Sequence, residues 1–279
     1  MASHKKVDSK EVGLDIGLNL FKFFFESEYM HYGYWTSELE VVGPNLKKAQ
    51  ENYTNNLLSH IPSGVKNILD VGCGSGKVAE DFIAKGYHVA AVSPKSNLTT
   101  RAVNRLAGKA TVTECKYEDY KGDRAVDMIL FSESFQYIDM AQNFELSYRL
   151  LNDKGYMMLC DFFQTEAEGT SPLGGGHRLQ DFYATVPSKR FTIVLDHDIT
   201  EQIAPTMTLI NNLTMNVVLP SIKLLGSLLE DRYPWVYRFI LWRFKKKIEK
   251  NKHKHFEGRR SAENFKKYKS YRLILLQKK

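Results

Sequence analysis

The run Ile68-Leu69-Asp70-Val71-Gly72-Cys73-Gly74-Ser75-Gly76 decides how this chain is read. An apolar stretch ends in an acid and opens into glycines on alternate positions, and a helical pattern, Lys77-Val78-Ala79-Glu80-Asp81-Phe82-Ile83, follows at once. That order describes a buried strand, a tight turn and a helix whose N-terminus faces a ligand. Glycine adopts backbone angles closed to other residues, and its missing Cβ lets a ligand touch the main chain. Spacing sorts loops of this kind. A phosphate-cradling P-loop needs Gly, four residues, then Gly-Lys-Ser/Thr. Val71 stands where its first glycine belongs, and Val78 where its hydroxyl belongs. The dinucleotide fingerprint Gly-x-Gly-x-x-Gly fits Gly72 and Gly74 but meets Lys77 at its third glycine. It also asks for an acid after the next strand, and His88–Val92 is followed by Ser93. The pattern Asp-x-Gly-x-Gly-x-Gly fits Asp70–Gly76 without a gap. A glycine-rich turn with no ligand is the alternative for such a motif standing alone.

Outward from the loop, strands and helices alternate. Residues 11–30 carry Leu14, Leu18, Phe21 and Phe25 at helical spacing, and 44–60 read as a second helix. Strands are expected at 66–70, 88–92, 110–114, 126–131, 156–161, 191–195 and 271–276. Helices fall at 77–85, 96–107 and 140–151, the last ending in an Asn152–Gly155 turn. This is an α/β pattern with a mainly parallel sheet covered on both faces and a crevice beyond the carboxyl ends of its strands. Asp70, Ser93, Glu118, Glu133 and Asp161 all follow strands and are placed on that rim.

The ordered set now resembles a known family. From about 64 to 161, and again at the last strand, the chain is similar to class I S-adenosylmethionine (SAM)-dependent methyltransferases, in the small-molecule branch that includes tocopherol and sterol methyltransferases. Leu69–Gly76 carries the likeness, with Phe131-Ser132-Glu133-Ser134-Phe135-Gln136-Tyr137-Ile138 after the fourth strand and Leu150-Leu151-Asn152-Asp153-Lys154-Gly155 before the fifth. His31-Tyr32-Gly33-Tyr34-Trp35 resembles the segment that many such enzymes lay over the methionine end of SAM.

The resemblance implies a Rossmann-like sheet with an antiparallel last strand. It implies an N-terminal helical cap (1–60), a SAM-binding core (61–199), a helical substrate lid (200–268) and a final core strand (269–279). It implies SAM as cofactor and S-adenosylhomocysteine (SAH) as product. Asp70, Gly72, Cys73, Gly74, Gly76, Ser93, Glu118, Ser132 and Tyr34 are the expected cofactor contacts. Ser93 departs from the family, which usually has an acid there for the ribose hydroxyls; it also reads as a helix N-cap before Pro94. Glu133, and after it His31, is the expected catalytic base. Tyr32, Trp35, Phe135, Tyr137 and His177 are expected in the substrate pocket, with His177 a third candidate base. No metal is expected.

Composition adds bounds. The chain has 279 residues and 43% hydrophobic content, enough for a sizeable core. Cys73, Cys115 and Cys160 stand in no metal spacing and read as reduced thiols of an intracellular, cytoplasmic protein. No signal peptide and no unbroken apolar run of about eighteen residues is seen, so no spanning helix is expected. Residues 243–279 hold fifteen Lys/Arg and three Asp/Glu, and the rest of the chain twenty-four and twenty-nine. The overall charge of +7 therefore belongs to the C-terminal segment. The apolar stretch 207–229 and the aromatic stretch 233–244 point to a greasy acceptor such as a lipid, isoprenoid or aromatic compound. A self-contained helical subdomain is the other reading. The basic run is read as a solvated helix face, as contact of 233–254 with an anionic membrane, or as a phosphate grip, in that order. An RNA methyltransferase and a non-catalytic binding module are the alternatives to a small-molecule enzyme.

Overall fold

The computed structural model describes residues 17–279 other than 20, 21, 95, 123, 124, 170 and 256–259; the side chains of 247 and 250–255 also lie outside the description. Its seven-stranded sheet has the order β3-β2-β1-β4-β5-β7-β6. The strands are β1 (Asn67–Val71), β2 (His88–Ser93), β3 (Thr111–Glu114), β4 (Val126–Ser132), β5 (Leu151–Gln164), β6 (Phe191–Asp198) and β7 (Lys269–Lys278). Neighbours among β1 to β5 pair in parallel, and β7 runs antiparallel to both β5 and β6. This is the Rossmann-like sheet with an antiparallel last strand expected above.

The strands alternate their apolar residues between two cores. Ile68, Met128, Leu130, Met158 and Cys160 face one cluster, with Tyr53 and Phe82. Leu69, Val71, Ile129, Phe131, Met157 and Leu159 face the other, with Phe144 and Phe182. Central strands covered on both sides must be apolar in both registers, which is why Met128–Phe131 and Met157–Cys160 are unbroken apolar runs with no exposed surface. The covering helices are α1 (Leu46–Ser59), α2 (Lys77–Ala84), α3 (Asn97–Arg105), α4 (Met140–Leu150) and α5 (Leu179–Thr185). Truncating a core ring such as Phe144 should cost about 3–5 kcal/mol.

Local expectations need four corrections. Helix α3 is capped by Ser96, whose hydroxyl accepts from the Thr99 N–H at 3.1 Å, so Ser93 ends β2 and caps nothing. Asn152–Gly155 is not a separate turn. It belongs to β5, where the register against β4 jumps from Val126↔Leu151 to Met128↔Tyr156 and Lys154 adopts φ +60°. The N-terminal helix stops at Phe25, and Ser27–Trp35 is irregular; Leu14 and Phe21 lie outside the described residues. Finally, between β6 and β7, a nearly continuous helix α6 (Thr200–Arg232) is long and apolar enough to cross a membrane by length and composition. Thr, Asn and Ser interrupt its apolar residues, so no unbroken apolar run announces it. Helix α7 (Pro234–His255) and α8 (Ala262–Tyr268) complete this segment.

Candidate active site

After β3 the chain crosses back to place β4 on the other side of β1, so the strand order reverses between them. Ligand crevices of open α/β sheets lie at such a point, beyond the carboxyl ends of the strands. Here the crevice has a chamber of about 360 Å³ over the glycine loop. A second chamber of about 270 Å³ lies beyond β2, and Gly72 and Tyr137 line both. A larger groove of about 840 Å³ runs past Lys266, Lys269 and Arg272. Lys266 and Arg272 there are already paired with Glu201 and Asp196.

The loop glycines are not interchangeable, although all have positive φ. A Cβ at Gly72 would meet the Ser134 Cβ at 2.5 Å, so this glycine lets the loop after β4 close down. The Ser134 hydroxyl then donates to the Val71 carbonyl. A Cβ at Gly76 would press on the Ala102 backbone at 3.1 Å, so this glycine brings α2 against α3. Gly74 lines the chamber with room to spare, since a Cβ there would meet Met30 no closer than 3.7 Å. Of the three positions expected to approach a ligand, Gly72 and Gly74 line the chamber and Gly76 does not.

Asp70 lies at the loop's root, buried, and its Oδ2 has no hydrogen-bond partner. Burial raises its carboxyl to about 7. An unpaired buried carboxylate oxygen is costly, and Asp70 belongs to the chamber lining, so a donor brought by a ligand would relieve that cost. Cys73 also lines the chamber, where burial pushes its thiol up.

Ser27–Trp35 forms a strap across the chamber mouth, fastened at nearly every residue. The Ser75 hydroxyl donates to the Glu28 carbonyl at 2.7 Å, and the Gln50 amide to the His31 carbonyl at 2.6 Å. The Gly33 N–H and the Trp35 indole N–H both donate to Thr206 Oγ1, at 3.0 and 2.9 Å. The Tyr34 N–H donates to the Ala49 carbonyl at 2.8 Å. Tyr29, Met30, His31 and Tyr32 consequently line the chamber.

Glu133 also lines the chamber. It follows β4 with φ +56°, a strained angle for a side-chain-bearing residue that its N–H bond to the Cys160 carbonyl helps to hold. Its Oε1 accepts from the Tyr32 N–H and the Tyr271 hydroxyl, each at 2.8 Å. Oε2 is the oxygen left to meet a ligand. Burial raises this carboxyl to about 8, against the lowering effect of those two bonds. Behind it, the hydroxyls of Tyr53, Tyr271 and Ser132 form a linked set at 3.0–3.1 Å.

Several expected site residues have other duties. His31 has both ring nitrogens engaged, Nδ1 with the Tyr32 carbonyl at 2.8 Å and Nε2 with Thr54 at 3.3 Å, and it stacks on Tyr53 at 4.1 Å. Burial lowers its pKa to about 4, so the ring is a neutral fastening of the strap and a poor base. Trp35 and Phe135 are core side chains that do not line the crevice, and Tyr34 packs against the main core. His177 sits behind the crevice, its Nε2 3.2 and 3.0 Å from the carbonyls of Phe135 and Ile138. With Asp161, which accepts from the Gln136 N–H and amide, it fixes the turn that presents Tyr137. Tyr137 is 77% exposed and stands between the two chambers. Ser132 lines the first chamber and Glu118 the second. Ser93 is buried between Val92 and Pro94, which do line the second chamber while Ser93 does not. No lining residue of either chamber comes from 200–268; Thr206 and Phe265 of that segment act through the strap and Tyr32. Tyr271 is the participant that sequence reasoning missed. Its partner is 138 positions away, and nothing local marks it.

Comparison with known proteins agrees with this geometry. Residues 34–193 match the methyltransferase domain family, more than half of the chain. The chain therefore belongs to the class I SAM-dependent methyltransferase family, whose cofactor is SAM. A ubiquinone biosynthesis O-methyltransferase of Rickettsia typhi is 29% identical over 83 residues, covering 29% of this chain and 34% of that protein. The chain thus aligns with about a third of the length of that relative. Geranyl diphosphate C-methyltransferase of Streptomyces coelicolor A3(2), solved with Mg²⁺, geranyl diphosphate and SAH, superposes with TM-score 0.68 at 14% identity, covering 98% of this chain and 99% of that one. The mycolic acid cyclopropane synthase CmaA1, solved with SAH and CTAB, gives TM-score 0.65 at 18% identity, covering 98% and 100%.

The residues present fit SAM. Asp70 Oδ2 is an unpaired buried acceptor for a cationic ligand, and Gly74 leaves the space that a Cβ would fill. The second chamber offers Val71, Val92, Pro94 and Ile138 to a flat base, with Glu118 at its rim.

Proposed function

We propose that this chain transfers the methyl group of SAM to a small apolar or amphipathic acceptor lodged between Tyr32, Glu133 and Tyr137. The observation that carries this reading is the presence in one chamber lining of two raised carboxyls with different duties. Asp70, at the glycine loop, has an oxygen without a donor; Glu133, after β4, has one oxygen tethered by two bonds and one available. SAM supplies a methyl already activated on a sulfonium, so the protein's task is alignment, exclusion of water and disposal of a proton.

The strap and Tyr137 wall the chamber from solvent. The Tyr32 N–H and Tyr271 hydroxyl fix the angle of the Glu133 carboxylate, and a carboxyl near 8 is matched to accepting a proton close to neutral pH. A negative charge at that wall also favours any positive charge that develops on a carbon, nitrogen or oxygen acceptor. The apolar character of the nearby rings, Tyr32 against Phe265 and Tyr271, supports a greasy acceptor. The names of the structural neighbours, which include an isoprenoid and a lipid enzyme, agree with that class.

The test is transfer of labelled methyl from SAM into fractionated apolar, polar small-molecule and RNA extracts, beside calorimetry with SAH. Label in the apolar fraction is expected. SAH binding with label only in polar molecules or RNA overturns the acceptor class; no SAH binding by folded protein overturns the whole reading.

A further inference from the structure

The half of α6 from Leu219 to Arg232 and the helix α7 that returns beside it bury no described residue. They touch each other, with the ring of Tyr237 against Gly226, and leave their apolar side chains outward. Leu224, Leu225 and Leu228 are exposed on α6. On α7, Trp235, Phe239 and Trp242 recur at i, i+4 and i+7, a single stripe, and the two indoles are each 74% exposed. Arg238 and Arg243 flank that stripe on either side, and Lys245 and Lys246 continue it. Pro234–His255 holds eight Lys/Arg against one acid, Glu249. Exposed apolar surface of this extent marks a partner. Its cationic border and indole content say which: exposed aromatics suit the headgroup level of a bilayer, and clustered Lys/Arg suit anionic lipid.

We propose that the hairpin of Leu219–His255 is a docking arm that lies in the surface of an anionic bilayer. The arm lies along the membrane instead of crossing it, because Arg238 and Arg243 would accompany the aromatic stripe into the hydrocarbon. The opening turns of α6, with Ile203, Thr206 and Met207, are already buried in the domain and unavailable to lipid. The arm is rooted on the site: Thr206 clasps the strap, and Phe265, beyond the arm's end, lies edge-on to Tyr32. The docking stands without any assumption about the reaction. That the bilayer would then supply the acceptor rests on the function proposed above.

The protein carries its own reporter, since its remaining tryptophan, Trp35, is buried in the core. The experiment mixes full-length protein with vesicles of phosphatidylcholine alone, or of equal parts phosphatidylcholine and phosphatidylglycerol. It reads vesicle flotation, tryptophan emission and light scattering without lipid. Flotation with the anionic vesicles only, blue-shifted emission quenched by brominated acyl chains, and weakening by salt are expected. The variant R238A/R243A/K245A/K246A should keep its fold and SAH binding and lose vesicle affinity on the order of a thousandfold. The variant L224S/L225S/L228S should float poorly at any salt. No flotation with anionic vesicles overturns the proposal. So does equal flotation with neutral ones, or a lipid-free dimer in which the indoles are already shielded, which would make a second copy the occupant.

Discussion

Replacing Asp70 by Asn should make the empty protein more stable at alkaline pH and weaken its hold on SAH. An acid whose folded pKa is raised opposes folding increasingly as pH climbs from its unfolded value toward its folded one, and by a constant amount above that. For Asp70 those limits are 3.8 and about 7. The penalty is then about 2 kcal/mol at pH 5 and about 4 kcal/mol at pH 8. Asn has no charge to bury but brings an amide that needs a partner, which costs ~1–3 kcal/mol at every pH. The difference between the two proteins should therefore shift by about 2–3 kcal/mol between pH 5 and pH 8 in favour of the variant. For a chain of this size that is roughly 5–10 °C in relative Tm. Differential scanning fluorimetry across that pH range reads it directly, with Glu133 and Asp161 common to both proteins and cancelling. In the same samples SAH should bind Asp70→Asn on the order of tenfold to a hundredfold more weakly, the loss of one charge-assisted hydrogen bond. A pH-independent Tm difference would refute the buried-carboxylate argument, and unchanged SAH affinity would remove Asp70 Oδ2 from the cofactor site.

Glu133→Gln should leave SAH affinity within a few-fold and lower turnover by about 10²–10⁴; an unchanged rate with a saturating acceptor would show that Glu133 is not the base. In the wild type, turnover should rise with pH through about 8, because the carboxyl must be ionised to accept a proton. Tyr271→Phe removes a bond that favours the ionised form, so that limb should move to higher pH, and a pH–rate profile with no displacement would contradict the contact. Gly72→Ala should destabilise more than Gly74→Ala in urea melts. Its Cβ lands 2.5 Å from Ser134, whereas at Gly74 only the positive φ is penalised, by about 1–2 kcal/mol.

Much of the fold was legible because its signals are local. The unbroken apolar runs Met128–Phe131 and Met157–Cys160 announce central strands, since a strand covered on both faces is apolar in both registers; Ile68–Val71 follows the same pattern except at Asp70, which lines the site. The alternate glycines after Asp70 announce the turn, because the backbone there requires positive φ. Of the expected site residues, Asp70, Ser132, Glu133 and Tyr137, at or soon after those strand ends, line the first chamber. It was misread where aromatic residues were assigned by type. Trp35 and Phe135 resemble pocket wall in sequence, and only their neighbours, Ala49 and Leu46 for one and Phe144 and Phe182 for the other, reveal core.

From the sequence by itself come the kind of sheet and the position of the loop, consequences of backbone geometry and strand periodicity written within a few residues; the donor of the methyl group came from the family resemblance that those motifs carry. The tertiary structure alone decided that His31 fastens a strap, that three similar glycines serve three different contacts, and that Tyr271 reaches back across 138 positions to hold Glu133. It also decided that the apolar arm after Leu219 is outside the core. A hydrophobic pattern states that a face must be covered, and only the arrangement of the whole chain states what covers it.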